Sequence, residues 1–184
     1  MSGVSKEAEA VLRFWLEETP AEKRFAVDPR LDAEIGARFR TLTDDVAASR
    51  AVGWRDDPRT MLAAIILTDQ FPRNLYRGTP KAFATDRLAR ELTNIALDKG
   101  WDAGLSPTER QFLYMPLMHS EDLADQHRSV EFYDGLGLAE AADFARRHRD
   151  QIARFGRFPG RNAALDRVDT PEEAEFLKEP GSHF

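Results

Sequence analysis

Asp69 is a carboxylate in apolar company. It follows Met61–Leu67, seven consecutive apolar residues, in the stretch MLAAIILTDQFPRNLYR. Helical spacing puts it on one face with Leu62, Ile65 and Ile66, and a helix that is apolar all round is a buried one. The stretch changes character around Pro72, so Asp69 is expected towards the negative end of the helix dipole. A buried carboxylate there requires a cation, and Arg73, Arg157 and Arg161 are the candidates. Three guanidiniums around one carboxylate would leave positive charge over. Such a surplus binds a carboxylate or phosphate in bidentate fashion. The alternative is a buried ion pair with a structural role only.

Two histidines could move a proton beside that cluster. His148 is the polar member of the stripe Ala141, Phe144, Ala145, His148, Ile152 and Phe155. A lone histidine on such a face is ordinarily a hydrogen-bonded core residue. Beside Arg and Asp it is also what an acid–base step would use. His119 follows Pro116, a residue expected to kink or end its helix. A helix junction there accounts for Ser120 as a cap and Glu121 near the new N-terminus, but not for His119, which could face Asp69. Nothing around Ser120 resembles a nucleophile elbow. The sequence FPRN (71–74) is echoed by FPGRN (158–162). Either loop chemistry has converged, or two Arg-Asn loops face one cavity. The candidate catalytic residues are therefore His119, His148 and Asp69. The candidate ligand-binding residues are Arg73, Asn74, Glu121, Arg157, Arg161 and Asn162.

Other chemistries are disfavoured. The chain has no cysteine, hence no disulfide, thiolate metal site or Cys nucleophile. His127 and Glu131, and Glu121 and Asp125, have chelating spacing, but on a solvated face that spacing is common, and no His-Glu-x-x-His pattern exists. No metal and no cofactor are expected, and no Walker or Gly-x-Gly-x-x-Gly loop is present. The net charge of -6 argues against a general nucleic-acid binder. A local excess of seven Arg over Asp150 and Asp166 between Arg146 and Arg167 reads as a solvated face plus loop arginines. The opening MSGVSKEAEAVLRFW has no secretory pattern, and nothing approaches the ~20 apolar residues that span a bilayer. A cytoplasmic protein is the default expectation.

The elements that must position these groups are helices. Thr19-Pro20, Asp28-Pro29, Asp57-Pro58, Thr79-Pro80, Ser106-Pro107 and Thr170-Pro171 each pair an N-cap with proline at the first helical position. Glu22, Glu109 and Glu173 add capping boxes. Helices are expected over about 4–18, with Ala8, Val11, Leu12 and Trp15 inward, and from Pro29, with Leu31, Ile35, Phe39, Leu42 and Val46 inward. Further starts are Pro58, Pro80 (burying Ala84, Leu88, Leu92 and Ile95), Pro107, Ser120, Ala139 and Pro171. No strand pattern appears. The expectation is a single all-α domain over 1–184. Its seven or eight helices would stack as antiparallel pairs in a tetratricopeptide-like superhelical bundle, although the tetratricopeptide consensus is absent.

The segments LTDQFPRNLYRGTPKAFATD (67–86), ERQFLYMPLMHSEDLADQ (109–126) and RRHRDQIARFGRFPGRNAAL (146–165) resemble the bacterial family catalogued as domain of unknown function 924. VLRFWLE (11–17) and TPEEAEFL (170–177) fit the same pattern. The resemblance implies an all-helical, tetratricopeptide-like fold and brings no activity, cofactor or partner with it. The residues themselves favour a helical binding module that takes an anionic group of a peptide or small molecule. The rival is a hydrolase-type enzyme in which His119 or His148 moves a proton, Asp69 orients it and arginines hold the substrate. A third reading is a structural protein whose polar cluster only fixes the fold.

Overall fold

Helix starts in this chain are fixed by short side chains that accept backbone N–H groups. In a computed structural model, which describes residues 5–183, Ser5 caps α1 (Lys6–Leu12) and Asp28 caps α3 (Pro29–Ala48). Asp57 caps α4 (Pro58–Ile65). Ser106 and Thr170 form complete capping boxes with Glu109 and Glu173 at α7 (Pro107–Met118) and α10 (Pro171–Phe176). Between these lie α2 (Ala21–Arg24), α5 (Phe71–Leu75), α6 (Asp86–Asp98), α8 (Leu123–Asp134) and α9 (Ala139–Phe155). The described residues contain no strand, so the fold is all-α. Val4, expected to open the first helix, lies outside the described residues.

Several expected starts are displaced. Thr79 donates its hydroxyl to the Tyr76 carbonyl and makes no cap bond, and Pro80 opens only a 3-10 turn (Pro80–Ala82). The helix proper waits until Asp86, which leaves Ala84 exposed and buries Ala82 instead. Thr19 donates to the Phe14 carbonyl and makes no cap bond to α2. Ser120 is not the cap of α8; Asp122 is, accepting from Ala124 and Asp125, while Ser120 accepts from Asp122 and Arg90. Pro116 does not break α7, which runs on to Met118. Phe144 is 38% exposed rather than inward.

The apolar run Met61–Leu67 is the centre of the molecule, with every residue fully buried. α4 packs against α1, α6 and α7, α5 against α3, and the chain closes through α7–α8 and α8–α9 packing. The central run does not end at Pro72. It passes through a π-helical turn (Ile66–Gln70), in which the Phe71 N–H reaches the Ile66 carbonyl, and continues into α5. Proline removes the donor that would serve the Thr68 carbonyl; the Thr85 hydroxyl, 2.6 Å away, replaces it. A second π turn (Arg13–Glu18) follows α1 and buries Phe14 and Trp15. Such turns insert one residue into the helical register and are frequent at functional sites. Here the first of them carries Asp69.

Candidate functional site

Asp69 is fully buried within the π turn. Its Oδ1 accepts from His119 Nδ1 at 2.8 Å and its Oδ2 from Gln70 Nε2 at 2.6 Å. Arg73 Nη1 lies 3.6 Å from Oδ1 and donates to the Asp69 backbone carbonyl at 2.7 Å. The continuous helical run restores the four-residue spacing that Pro72 was expected to disturb. Burial opposes ionisation of Asp69, but the His119 ring, the Arg73 guanidinium and the two hydrogen bonds together hold its carboxyl well below the usual range.

Arg73 is shared. It makes a bidentate pair with Asp86 at 2.7 and 2.9 Å. Burial alone would lower its pKa; Asp86 and Asp69 more than reverse that. Asp86 heads α6, where the helix dipole favours a carboxylate. Its other neighbour is Arg161, from a 3-10 turn (Pro159–Arg161) that follows α9. Gly156, at φ 71°, ends α9 in the left-handed conformation and turns the chain back towards the cluster. Arg161 Nη1 stands 3.4 Å from Asp86 Oδ2, and Nη2 donates to the His119 carbonyl at 2.9 Å. The guanidinium lies between the Phe83 and Phe158 rings, 4.8 and 4.5 Å from their centroids. Burial, then the nearby charge of Arg73, pull its pKa down to about 10 despite Asp86 and Glu121.

His119 is the C-cap of α7. With Asp69 ionised, Nδ1 carries the proton and donates it, which leaves Nε2 as the basic nitrogen. Burial and then Arg73 lower its pKa, against the pull of Asp69 and Asp86. His148 lies close by, ring centroids 6.1 Å apart, but its Nδ1 bonds the Phe144 carbonyl of its own helix. Burial takes its pKa down to about 3, with the charges of His119 and Arg161 adding to the effect. It is a neutral core histidine.

That burial gives stability a pH dependence. The unfolded chain protonates His148 near pH 6.5, whereas the fold holds it neutral to about pH 3. Its contribution is complete above pH 6.5 and declines as pH falls, by about 1.4 kcal/mol per unit. Between pH 7 and pH 5, the wild type should lose about 2 kcal/mol more than His148→Gln, read from urea melts at the two pH values. Equal losses would show that His148 protonates freely in the fold.

The remaining candidates are drawn elsewhere. Arg157 makes a bidentate pair with Glu173 at 2.7 Å, and with Asn162 it helps to hold that carboxyl down to about 2. Asn162 also donates to Asp169 and accepts from Arg167. Glu121 is bidentate with Arg167 and accepts the Phe158 N–H. Asn74 donates to Asp32. The echo between the two loops is therefore half realised: Arg73 and Arg161 both reach Asp86, while Asn74 and Asn162 face different elements. The structure brings together Asp69, His119, Arg73, Arg161 and the unanticipated Asp86 and Gln70. No sequence signal singled out Asp86, because the helix that it heads was expected to begin at Pro80. Two surface cavities among the described residues, of about 280 and 250 Å³, are lined by other residues, among them Arg59 and Gln151. The cluster reaches solvent by its own rim, since the side chains of His119, Arg73 and Asp86 retain 14, 19 and 20% exposure.

A family model described as bacterial protein of unknown function (DUF924) matches residues 11–181. A solved structure of a protein of unknown function from Agrobacterium tumefaciens, ATU0120, is similar at 40% sequence identity and a TM-score of 0.87. The match covers 94% of this chain and 97% of that one. No curated protein matches the chain.

Proposed function

Because the chain belongs to the DUF924 family of bacterial proteins of unknown function, its activity has to be read from the site, and we propose that it is a helical module that binds an anionic group through Arg161. One observation carries this reading. Arg161 is 8% exposed, yet its ion pair with Asp86 is a long one, to an oxygen that Arg73 already holds at 2.9 Å. A buried guanidinium with five donors in a fixed fork and so little carboxylate of its own is poised for an oxyanion. The ring faces of Phe83 and Phe158 keep that fork flat and oriented. The ligand is a carboxylate or phosphate on a peptide or small molecule. Stacked consecutive helices fit a tetratricopeptide-like scaffold for such a site.

Thermal melts with sulfate, phosphate or a carboxylate metabolite test the reading. A ligand at a hundred times its Kd adds about 2.7 kcal/mol, which in a chain of this size raises Tm by roughly 5–11 °C. Arg161→Ala should remove that rise while the helical circular-dichroism spectrum is kept. Melts that no anion moves would leave the cluster a structural one. A second reading, hydrolase-type chemistry on a small anionic substrate, draws its support from the Asp69–His119 contact at 2.8 Å, which orients an imidazole as a general base.

A further inference from the structure

The charges of the cluster cancel. Asp69 and Asp86 face Arg73 and Arg161, with N–O separations from 2.7 to 3.6 Å. Arg157, which would have supplied a surplus, is bound to Glu173, and Glu121 is matched by Arg167. An anion arriving at Arg161 thus brings a charge that no fixed cation balances, in a setting too buried for water to screen it well.

One group there can balance it. His119 gives Nδ1–H to Asp69, and no hydrogen bond among the described residues reaches Nε2. A proton added at Nε2 makes an imidazolium already supported by a carboxylate on its far side. We propose that the site binds its anion together with one proton, taken from solvent onto His119 Nε2, so that a strong-acid oxyanion is held between an imidazolium and the Arg161 guanidinium. This rests on the anion-binding reading above.

The groups around His119 leave it as the acceptor. From the π turn and α5 it meets Asp69 and Arg73, from α6 Asp86, and from the turn after α9 Arg161. From α9 it meets His148, whose Nδ1 proton is held by the Phe144 carbonyl and which burial keeps neutral. Burial and Arg73 likewise favour the neutral ring of His119 in the ligand-free protein. An added anion reverses that balance, because an opposite charge within a few ångströms favours the ionised ring.

Sulfate is the probe, since its own charge is constant from about pH 6 to 8.5, a range in which an ordinary histidine changes protonation. Isothermal calorimetry in buffers of different ionisation enthalpy should show close to one proton taken up per sulfate near neutral pH. Affinity should fall by up to tenfold per pH unit above the pKa of the ligand-free ring. In His119→Gln, binding should be weaker and independent of pH. Where that variant does not fold, the ring C–H resonance of His119 in the wild type decides: its titration should move to higher pH when sulfate is added. Sulfate affinity that is flat with pH and without proton uptake overturns this proposal and leaves anion binding standing. Proton uptake that persists in His119→Gln also overturns it. Absence of sulfate binding at every pH, in folded protein, overturns the anion-binding reading and this proposal with it.

Discussion

Asp69→Asn should lower the free energy of unfolding by about 3–5 kcal/mol, the cost of removing one partner from a buried ionic network. Two effects add. The carboxylate offers an acceptor oxygen to each of two donors, His119 Nδ1 and Gln70 Nε2. An asparagine offers one oxygen and one NH2 group, so one of those donors is left facing another donor beside a fully buried side chain. The second effect is charge. Arg73 and Arg161 then face Asp86 alone, and the buried cluster gains a net positive charge. His119 also loses the partner that fixes its tautomer. Urea melts at pH 7 measure the loss. A change below about 1 kcal/mol, the ordinary scale of a surface substitution, would mean that the network is not coupled to the fold. If the cluster is structural only, sulfate leaves this loss unchanged, whereas a site that binds anions through Arg161 gains stability from sulfate by mass action.

Phe71→Ala should cost a similar amount, about 3–5 kcal/mol, through a cavity instead of a charge. Phe71 leads out of the π turn and is fully buried. Its ring meets Trp15 at 5.4 Å, Phe39 at 5.3 Å and Phe14 at 6.2 Å between centroids, the Trp15 and Phe14 contacts being edge-on. Three segments, the turn after α1, helix α3 and the start of α5, thus share one ring. Its loss leaves a void lined by rigid aromatic side chains that collapse poorly. The position also fixes the register of Asp69, two residues earlier. We expect the melt to show the lost stability and the His119 ring resonance to shift as its carboxylate partner moves. A loss under about 1 kcal/mol would place Phe71 outside the load path of the core.

Much of the fold was legible in the sequence, and so was the need for a partner at Asp69. Caps act within three residues of themselves, so Asp28, Asp57, Ser106 and Thr170 declare their helices locally. Seven apolar residues in a row declare a buried helix in the same way. The exceptions are local too: Thr79 and Thr19 make no cap bond, and each hydroxyl donates to a nearby carbonyl. What a helical pattern cannot declare is a π turn, since the hydrophobic period changes by one residue only and Pro72 reads as a stop. The Thr68 carbonyl that Pro72 leaves without a donor is met by the Thr85 hydroxyl, seventeen residues further along the chain.

The membership of the cluster was decided by tertiary structure. Arg157 and Arg161 look equivalent in sequence, one turn apart around Pro159. Folding sends Arg157 to Glu173 and Arg161 to Asp86, 75 residues distant. The rings of His119 and His148 lie side by side, yet one meets the Asp69 carboxylate across 50 residues and the other bonds its own helix. Sequence determined that a buried carboxylate had to be compensated, because desolvation of a charge is set by residue type and by the apolar face that carries it. Which cations compensate it, and whether charge is left over, depends on where long side chains meet after the helices have packed, and that geometry is written in no single stretch of the chain.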